Sequence, residues 1–211
     1  MHTRQRYWFI LAILFVLLSI GLGGWVWSSI LSLQKTANQQ TTNGSSSNVA
    51  SVTPALNGGL DVSSGAHLII PAIGINAPIE TVGKTAQGLM DVPTRNRWEG
   101  VGWYNGGPLP GQPGAAVIDG HLDRTGGAPA VFWKLKDLHV GDMVTVQDKS
   151  GTVVRFKVIK LASYAPTQAP IKEIFGQKNG TFLNLITCAG VWIADEHQTT
   201  ERLVVYTRKV A

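Results

Sequence analysis

From Tyr7 to Leu33 the sequence carries no Asp, Glu, Lys or Arg, and its centre, Trp8-Phe9-Ile10-Leu11-Ala12-Ile13-Leu14-Phe15-Val16-Leu17-Leu18, is uniformly apolar. A bilayer core takes about 20 such residues as helix, and the run is long enough to supply them. Tyr7 and Trp8 at one end, Trp25 and Trp27 at the other, stand where interfacial aromatic belts form. A cleaved signal peptide would have an apolar core of only about 7–15 residues followed by a small-residue cleavage site. This run is longer, and no clear Ala-x-Ala site follows it. Arg4 and Arg6 before it, against Lys35 alone after it, keep the N-terminus in the cytoplasm. The expectation is a cytoplasmic tail and transmembrane anchor over 1–33, single-pass in the plasma membrane, with all later residues extracellular.

Residues 34–65 change composition abruptly, with Thr41-Thr42-Asn43-Gly44-Ser45-Ser46-Ser47-Asn48 in their middle. So polar a tract cannot bury enough apolar surface to offset its ordering entropy, and it reads as a flexible linker. The formal charge of +5 belongs largely to the anchor. Of 18 Lys and Arg, Arg4, Arg6 and Lys35 flank the apolar run, and the remainder nearly balances 13 Asp and Glu. The basic excess is a topology signal and no nucleic-acid footprint. There is no Gly-rich phosphate loop and no Cys/His spacing for a metal, so no cofactor is expected.

Residues 66–211 read as one mostly β domain. His67-Leu68-Ile69-Ile70, Ala115-Ala116-Val117-Ile118, Val144-Thr145-Val146, Val153 to Ile159, Leu183 to Cys188 and Leu203 to Thr207 are short apolar or β-branched runs. Asp148-Lys149-Ser150-Gly151 is a hairpin turn signal. Helical candidates are few: Ala130 to Leu138, and Ile171 to Phe175. Many short strands with frequent turns argue for a closed barrel or a sandwich.

Cys188 is the single cysteine, at the end of the buried run Leu183-Asn184-Leu185-Ile186-Thr187 and just before Gly190. A lone buried cysteine ordinarily packs as a small hydrophobe. Two further residues alter that reading. His121 ends the apolar run Val117-Ile118-Asp119-Gly120, so an imidazole and a thiol both stand at strand ends. Of the other histidines, His2 lies in the tail, His67 opens a strand, His139 follows a helical candidate and His197 falls in a polar loop. Arg202 precedes the last apolar strand. A thiolate is the nucleophile and needs a nearby cation, an imidazole can protonate a leaving amine, and a guanidinium can hold a developing oxyanion. The order His, Cys, Arg is not that of papain-like enzymes, where the cysteine comes first.

These residues resemble those of the sortases, the cysteine transpeptidases of Gram-positive cell surfaces. The family signature Thr-Leu-x-Thr-Cys is met by Asn184-Leu185-Ile186-Thr187-Cys188 with a departure at its first position. The family's Gly-His pair is matched by Gly120-His121, and the arginine of its last strand by Arg202. The resemblance implies an eight-stranded β-barrel with short helices that binds a Leu-Pro-x-Thr-Gly-like sorting signal of secreted surface proteins. It implies that Cys188 attacks the Thr carbonyl, His121 is acid and base, Arg202 holds the oxyanion and Thr187 lines the substrate site. The thioacyl enzyme would be resolved by an amine, from a peptidoglycan precursor or a pilin lysine. No Asp-Pro-aromatic plug and no C-terminal membrane helix stand in the sequence. With Met90-Asp91-Val92-Pro93 and Val101-Gly102-Trp103-Tyr104, the domain looks most like class F, with class D or E the close alternative.

Two other readings compete. An L,D-transpeptidase is also an exported β-rich cysteine acyltransferase, but carries a Ser-x-Gly-Cys signature with its histidine close before the cysteine, and neither stands here. A tethered, non-enzymatic β-domain, such as an adhesin or receptor ectodomain, has no need of a thiol, which outside the cell is an oxidation liability.

Overall fold

The computed structural model describes residues 59–196 and 198–210. The expected anchor, and the linker as far as residue 58, lie outside the described residues. Among the described residues no helix is long and apolar enough to cross a membrane.

Eight strands close a barrel: β1 (His67–Ile70), β2 (Ile75–Val82), β3 (Val101–Tyr104), β4 (Gly114–Asp119), β5 (Met143–Gln147), β6 (Val153–Tyr164), β7 (Thr181–Ile193) and β8 (Gln198–Lys209). Their order around the barrel is β1-β2-β3-β4-β7-β8-β6-β5, with β5 returning to β1. Closure leaves no free sheet edge, which suits a chain with this many short apolar strands. Most neighbours are antiparallel, while β2–β3 and β4–β7 are parallel. The β5–β6 hairpin forms at the expected turn, where the Asp148 carboxylate accepts hydrogen bonds from the Ser150 and Thr152 amides.

Alternation decides what faces inward. Leu68, Ile70, Ile75, Ala77, Ile79, Ala116, Ile118, Leu183, Leu185, Leu203 and Val205 fill the interior together with Phe132, Leu135 and Phe156. A second apolar cluster covers the outer face of β4, β7 and β8: Val117, Val204 and Tyr206, packed with Ile174, Ile186, Met90 and Phe175. Ile174 and Phe175 belong to the short helix α1 (Ile171–Phe175), which lies between β6 and β7 as its sequence suggests. Asn184, at the signature's departing position, donates from Nδ2 to the Ile174 carbonyl at 2.6 Å and fastens α1 to β7.

Two expectations are corrected. Residues 130–138 form turns with a single 3-10 turn at Leu135–Asp137 instead of a helix. The periodicity there comes from Phe132, Leu135 and Leu138, which plug the barrel from a series of turns. The linker boundary at residue 65 is also too late. Leu60 and Val62 are buried in the interior cluster, and the Leu60 amide donates to the Pro110 carbonyl at 3.0 Å. Leu60 and Val62 are only two positions of one alternation, set among Gly58-Gly59, Asp61 and Ser63-Ser64-Gly65, too short a run to mark a strand.

The parallel β2–β3 crossover, residues 83–100, is held at its far end by Glu80. That buried carboxylate accepts from the Thr94 amide, the Arg95 amide at 3.0 Å and Arg95 Nε at 3.0 Å.

Candidate active site

Three neighbouring strands carry the candidate residues. In the β7–β8 ladder Cys188 is paired with Arg202. On the next strand Arg202 is paired with Tyr164. β4 runs parallel to β7 with Asp119 beside Ile186, so the same stagger carried two residues further sets His121 level with Cys188. Alternation places Cys188 on the outer face, with Ile186, and Arg202 there with Val204 and Tyr206. By register and alternation His121, Cys188 and Arg202 stand toward one end of the apolar outer face, with no hydrogen bond joining the three side chains.

The strand ends differ from expectation. His121 does follow the end of β4. Cys188 and Arg202, expected at a strand end and a strand start, both lie inside a long hairpin. The ladder continues beyond them to Ile193 and Gln198 across a bulge between Ala189 and Trp192. Gly190 takes φ 78° in that bulge, which a residue with a Cβ rarely adopts. Glycine thus bends the hairpin without ending it.

His121 is fixed by its backbone. The Gly120 amide donates to the Ile186 carbonyl at 3.2 Å, and the Thr187 hydroxyl donates to the Gly120 carbonyl at 2.8 Å. A Cβ on Gly120 would stand 2.7 Å from the Phe132 ring, so only glycine lets the chain pass there. The His121 carbonyl in turn accepts from the Phe132 amide at 2.9 Å. Thr187, expected to line the substrate site, is buried and lies on the opposite side of β7 from Cys188. Its hydroxyl ties β7 to the residue before His121, a positioning contact instead of a lining one.

The His121 ring packs on Trp98 from the β2–β3 crossover, with centroids 5.2 Å apart and planes at 55°. Arg97 lies over the other aromatic partner, 5.3 Å from the Trp98 centroid. Burial first, then the Arg97 charge, holds the imidazole below the ordinary histidine range, with Asp123 pulling weakly the other way. His121 Nε2 is enclosed and has no hydrogen-bond partner. A neutral, uncommitted ring nitrogen at this place can exchange a proton with a reacting group.

Arg202 is braced from one side. Its Nη1 donates to Thr199 Oγ1 at 2.8 Å, to the Glu201 carbonyl at 2.9 Å and to the Thr199 carbonyl at 3.3 Å. All of these use one nitrogen, which leaves Nη2 and Nε uncommitted among the described residues. A guanidinium so anchored offers preorganised donors to an oxyanion.

The sortase domain family model matches residues 68–210, which spans every strand of the barrel from Leu68 onward. The chain belongs to the sortase family. It is a cysteine transpeptidase of the cell-wall sorting type. Among curated proteins no sequence matches it. Solved sortases share its fold. Sortase C-1 from Actinomyces oris is 24% identical with a TM-score of 0.54, covering 69% of this chain and 73% of its own. Sortase A from Corynebacterium diphtheriae is 23% identical with a TM-score of 0.56, covering 70% and 61%. Sortase C1 from Streptococcus suis is 19% identical with a TM-score of 0.54, covering 70% and 73%.

Sequence reasoning missed the residues around this sortase's site. Arg97, Trp98 and Thr199 sit in segments without period, and nothing local ties them to His121 or Arg202. Asp119 carries a local signal, as the one charge between the apolar run Ala115 to Ile118 and Gly120.

Proposed function

We propose that the chain is a membrane-anchored sortase that cleaves a Leu-Pro-x-Thr-Gly-like sorting signal between Thr and Gly, with Cys188 as nucleophile, His121 as acid and base, and Arg202 as oxyanion donor. The single observation that carries this is the cross-strand pairing of Cys188 with Arg202 beside the β4 end that bears His121. The Cys188 thiolate adds to the Thr carbonyl carbon, forming the C–S bond and an oxyanion that Arg202 stabilises. Collapse breaks the C–N bond as His121, in its imidazolium form, gives a proton to the departing Gly amine. The thioester then accepts an amine, whose proton passes to His121 as the thiolate leaves. The acceptor is an amine of the cell envelope, a peptidoglycan precursor or a pilin lysine.

Beside the cluster packed under α1, the half-buried Ile186 and Cys188 leave a strip of sheet surface that supports an extended peptide as substrate. The Met90 and Tyr104 stretches are those that resemble class F, which is the class we favour over D and E. The apolar run at Tyr7 to Leu33 supports anchorage with the barrel outside the cell.

The test uses the full-length chain in detergent with a Leu-Pro-Ala-Thr-Gly peptide and a small amine. Mass spectrometry should find the peptide acylated on Cys188 and then joined to the amine. The Cys188→Ala variant should remain folded and give neither product; turnover by that variant would remove this reading.

A further inference from the structure

One carboxyl on the outer face, that of Asp119, takes no part in the acyl transfer assigned to Cys188, His121 and Arg202. The strand registers set a row across that face: Glu80, Gly102, Asp119, Ile186, Val204 and Ala162. Cys188 is two residues beyond Ile186 on the same face of β7, so Asp119 lies one row from the thiol, roughly 7 Å along the strand at 3.3 Å per residue. Asp119 Oδ1 is enclosed and has no hydrogen-bond partner. Its neighbours explain why. Ile186 has no polar side-chain atom, Gly102 has no side chain, and a Cβ there would come within 2.6 Å of Asp119 Oδ1. Glu80, the remaining polar residue of the row, is committed to Thr94 and Arg95.

An enclosed polar atom without a partner costs stability, and such atoms are rare unless something binds them. Burial, helped by Asp91 and Glu80 and opposed by the residue's own backbone amide, pushes the Asp119 carboxyl up to about 8. Near neutral pH it is then chiefly a carboxylic acid, with one O–H donor and an acceptor oxygen. That pairing matches a peptide amide, which offers a C=O and an N–H. The residue is half-buried and only Oδ1 is enclosed, so Oδ2 is the oxygen within reach of a peptide lying beside Ile186 and Cys188.

We propose that Asp119 is a specificity-determining residue, whose carboxyl group hydrogen-bonds a backbone amide of the sorting-signal peptide next to the scissile bond. The inference rests on the reading of the outer face as the peptide site. In Leu-Pro-Ala-Thr-Gly the proline has no N–H, so the amides that enter Ala and Thr are the two candidates before the bond that breaks.

The experiment measures kcat/KM of the full-length chain on this peptide and on two versions in which the Ala or the Thr amide N–H is replaced by an ester oxygen. Wild type should lose about tenfold on one of the two esters. Asp119→Ala should lose about tenfold on the all-amide peptide and nothing further on that same ester, which is the coupling expected of a direct contact. Asp119→Asn, which keeps a donor and an acceptor, should stay within about threefold of wild type. Asp119→Leu removes both polar atoms while keeping bulk, and supplies the comparison should the alanine variant fail to fold. Equal losses by the variants on all three peptides would overturn the proposal and leave Asp119 a packing residue. Failure of wild type to cleave any of the peptides would overturn the peptide-site reading itself, and this inference with it.

Discussion

Cys188 stands directly opposite Arg202 in the ladder between β7 and β8. Opposed residues of an antiparallel pair place their side chains on one face about 5 Å apart at Cβ, the span in which one carbonyl group can meet both. The hairpin continues in register on either side, with Thr187 opposite Leu203 and Ala189 opposite Glu201. A slip of one residue on either strand would turn that strand's member of the pair inward, so the buried neighbours that fix the register also fix the pair.

That pairing makes Arg202 the first residue to test. Arg202→Ala should lower kcat by about 10²–10³, the scale for losing one oxyanion donor. Arg202→Lys should recover only part of it, because an ammonium lacks the planar fork that Thr199 braces. Arg208 is exposed on the same strand, opposite Phe182, and Arg208→Ala should leave the rate within a few-fold. Equal behaviour of the two alanine variants in a peptide-cleavage assay would remove Arg202 from the site.

Thr187 predicts a different pattern. Its hydroxyl donates to the Gly120 carbonyl inside the barrel wall. Thr187→Val keeps the shape and removes the bond, so it should cost about 1 kcal/mol of stability, seen in a denaturant midpoint. The fall in activity should appear in kcat with KM unchanged, since the residue holds His121 in place and does not face the peptide. Thr187→Ser should restore both. A rise in KM alone would return Thr187 to the substrate site.

The strands, the hairpin turn, α1 and the positions of His121, Cys188 and Arg202 beside strands are legible as local patterns. Those patterns leave barrel and sandwich open, and only the family resemblance implies the eight-stranded barrel. Apolar alternation and a turn signal are short-range properties, and His121, Cys188 and Arg202 each sit beside such a run. What stayed hidden depends on contacts between distant segments. Arg97 and Trp98 reach His121 only because the crossover folds back under Glu80. Leu60 joins the core where its amide donates to the distant Pro110 carbonyl. The extents of β7 and β8 differ from the sequence expectation because glycine usually stops a strand, and here it bulges one.

The early start of the packed domain has a practical consequence. A chain beginning at residue 59 should fold with the stability of the whole barrel. One beginning at Gly65 loses Leu60 and Val62, which are almost fully enclosed. Burial of two such side chains is worth about 3–6 kcal/mol together. The shorter chain should therefore unfold at a clearly lower temperature in calorimetry. Identical melting of the two would mean that Leu60 and Val62 are ornaments on a barrel that closes without them.

Arg97 bears on the proton chemistry. Its charge is the second cause, after burial, of the depressed His121 imidazole. Arg97→Ala removes a cation that opposes the imidazolium, so His121 should titrate at higher pH than in wild type. If activity needs imidazolium and thiolate together, the acid limb of the kcat/KM profile moves up in pH with it. Arg97→Lys keeps the charge and should leave both in place. The readout is an NMR titration of the His121 ring beside the rate profile, and an unmoved ring signal in Arg97→Ala contradicts the assignment.

Asp119 predicts how stability varies with pH. Its carboxyl titrates near 8 in the folded chain, against an ordinary value of 3.8. Between those two values the folded state holds a proton that the unfolded state has released. The unfolded chain binds fewer protons there, so this group makes stability fall as pH rises from about 4 to about 8, and its cost is constant above that. Asp119→Asn cannot ionise and is nearly the same shape as the protonated acid. Wild type and Asp119→Asn should therefore melt at similar temperatures near pH 4, while the variant should be the more stable at pH 8. The melting-temperature difference should widen steadily between those limits and flatten beyond them. A difference that is the same at pH 4 and pH 8 would mean that Asp119 is ionised in the folded chain at both, and that its enclosed oxygen finds a cation or donor in solution.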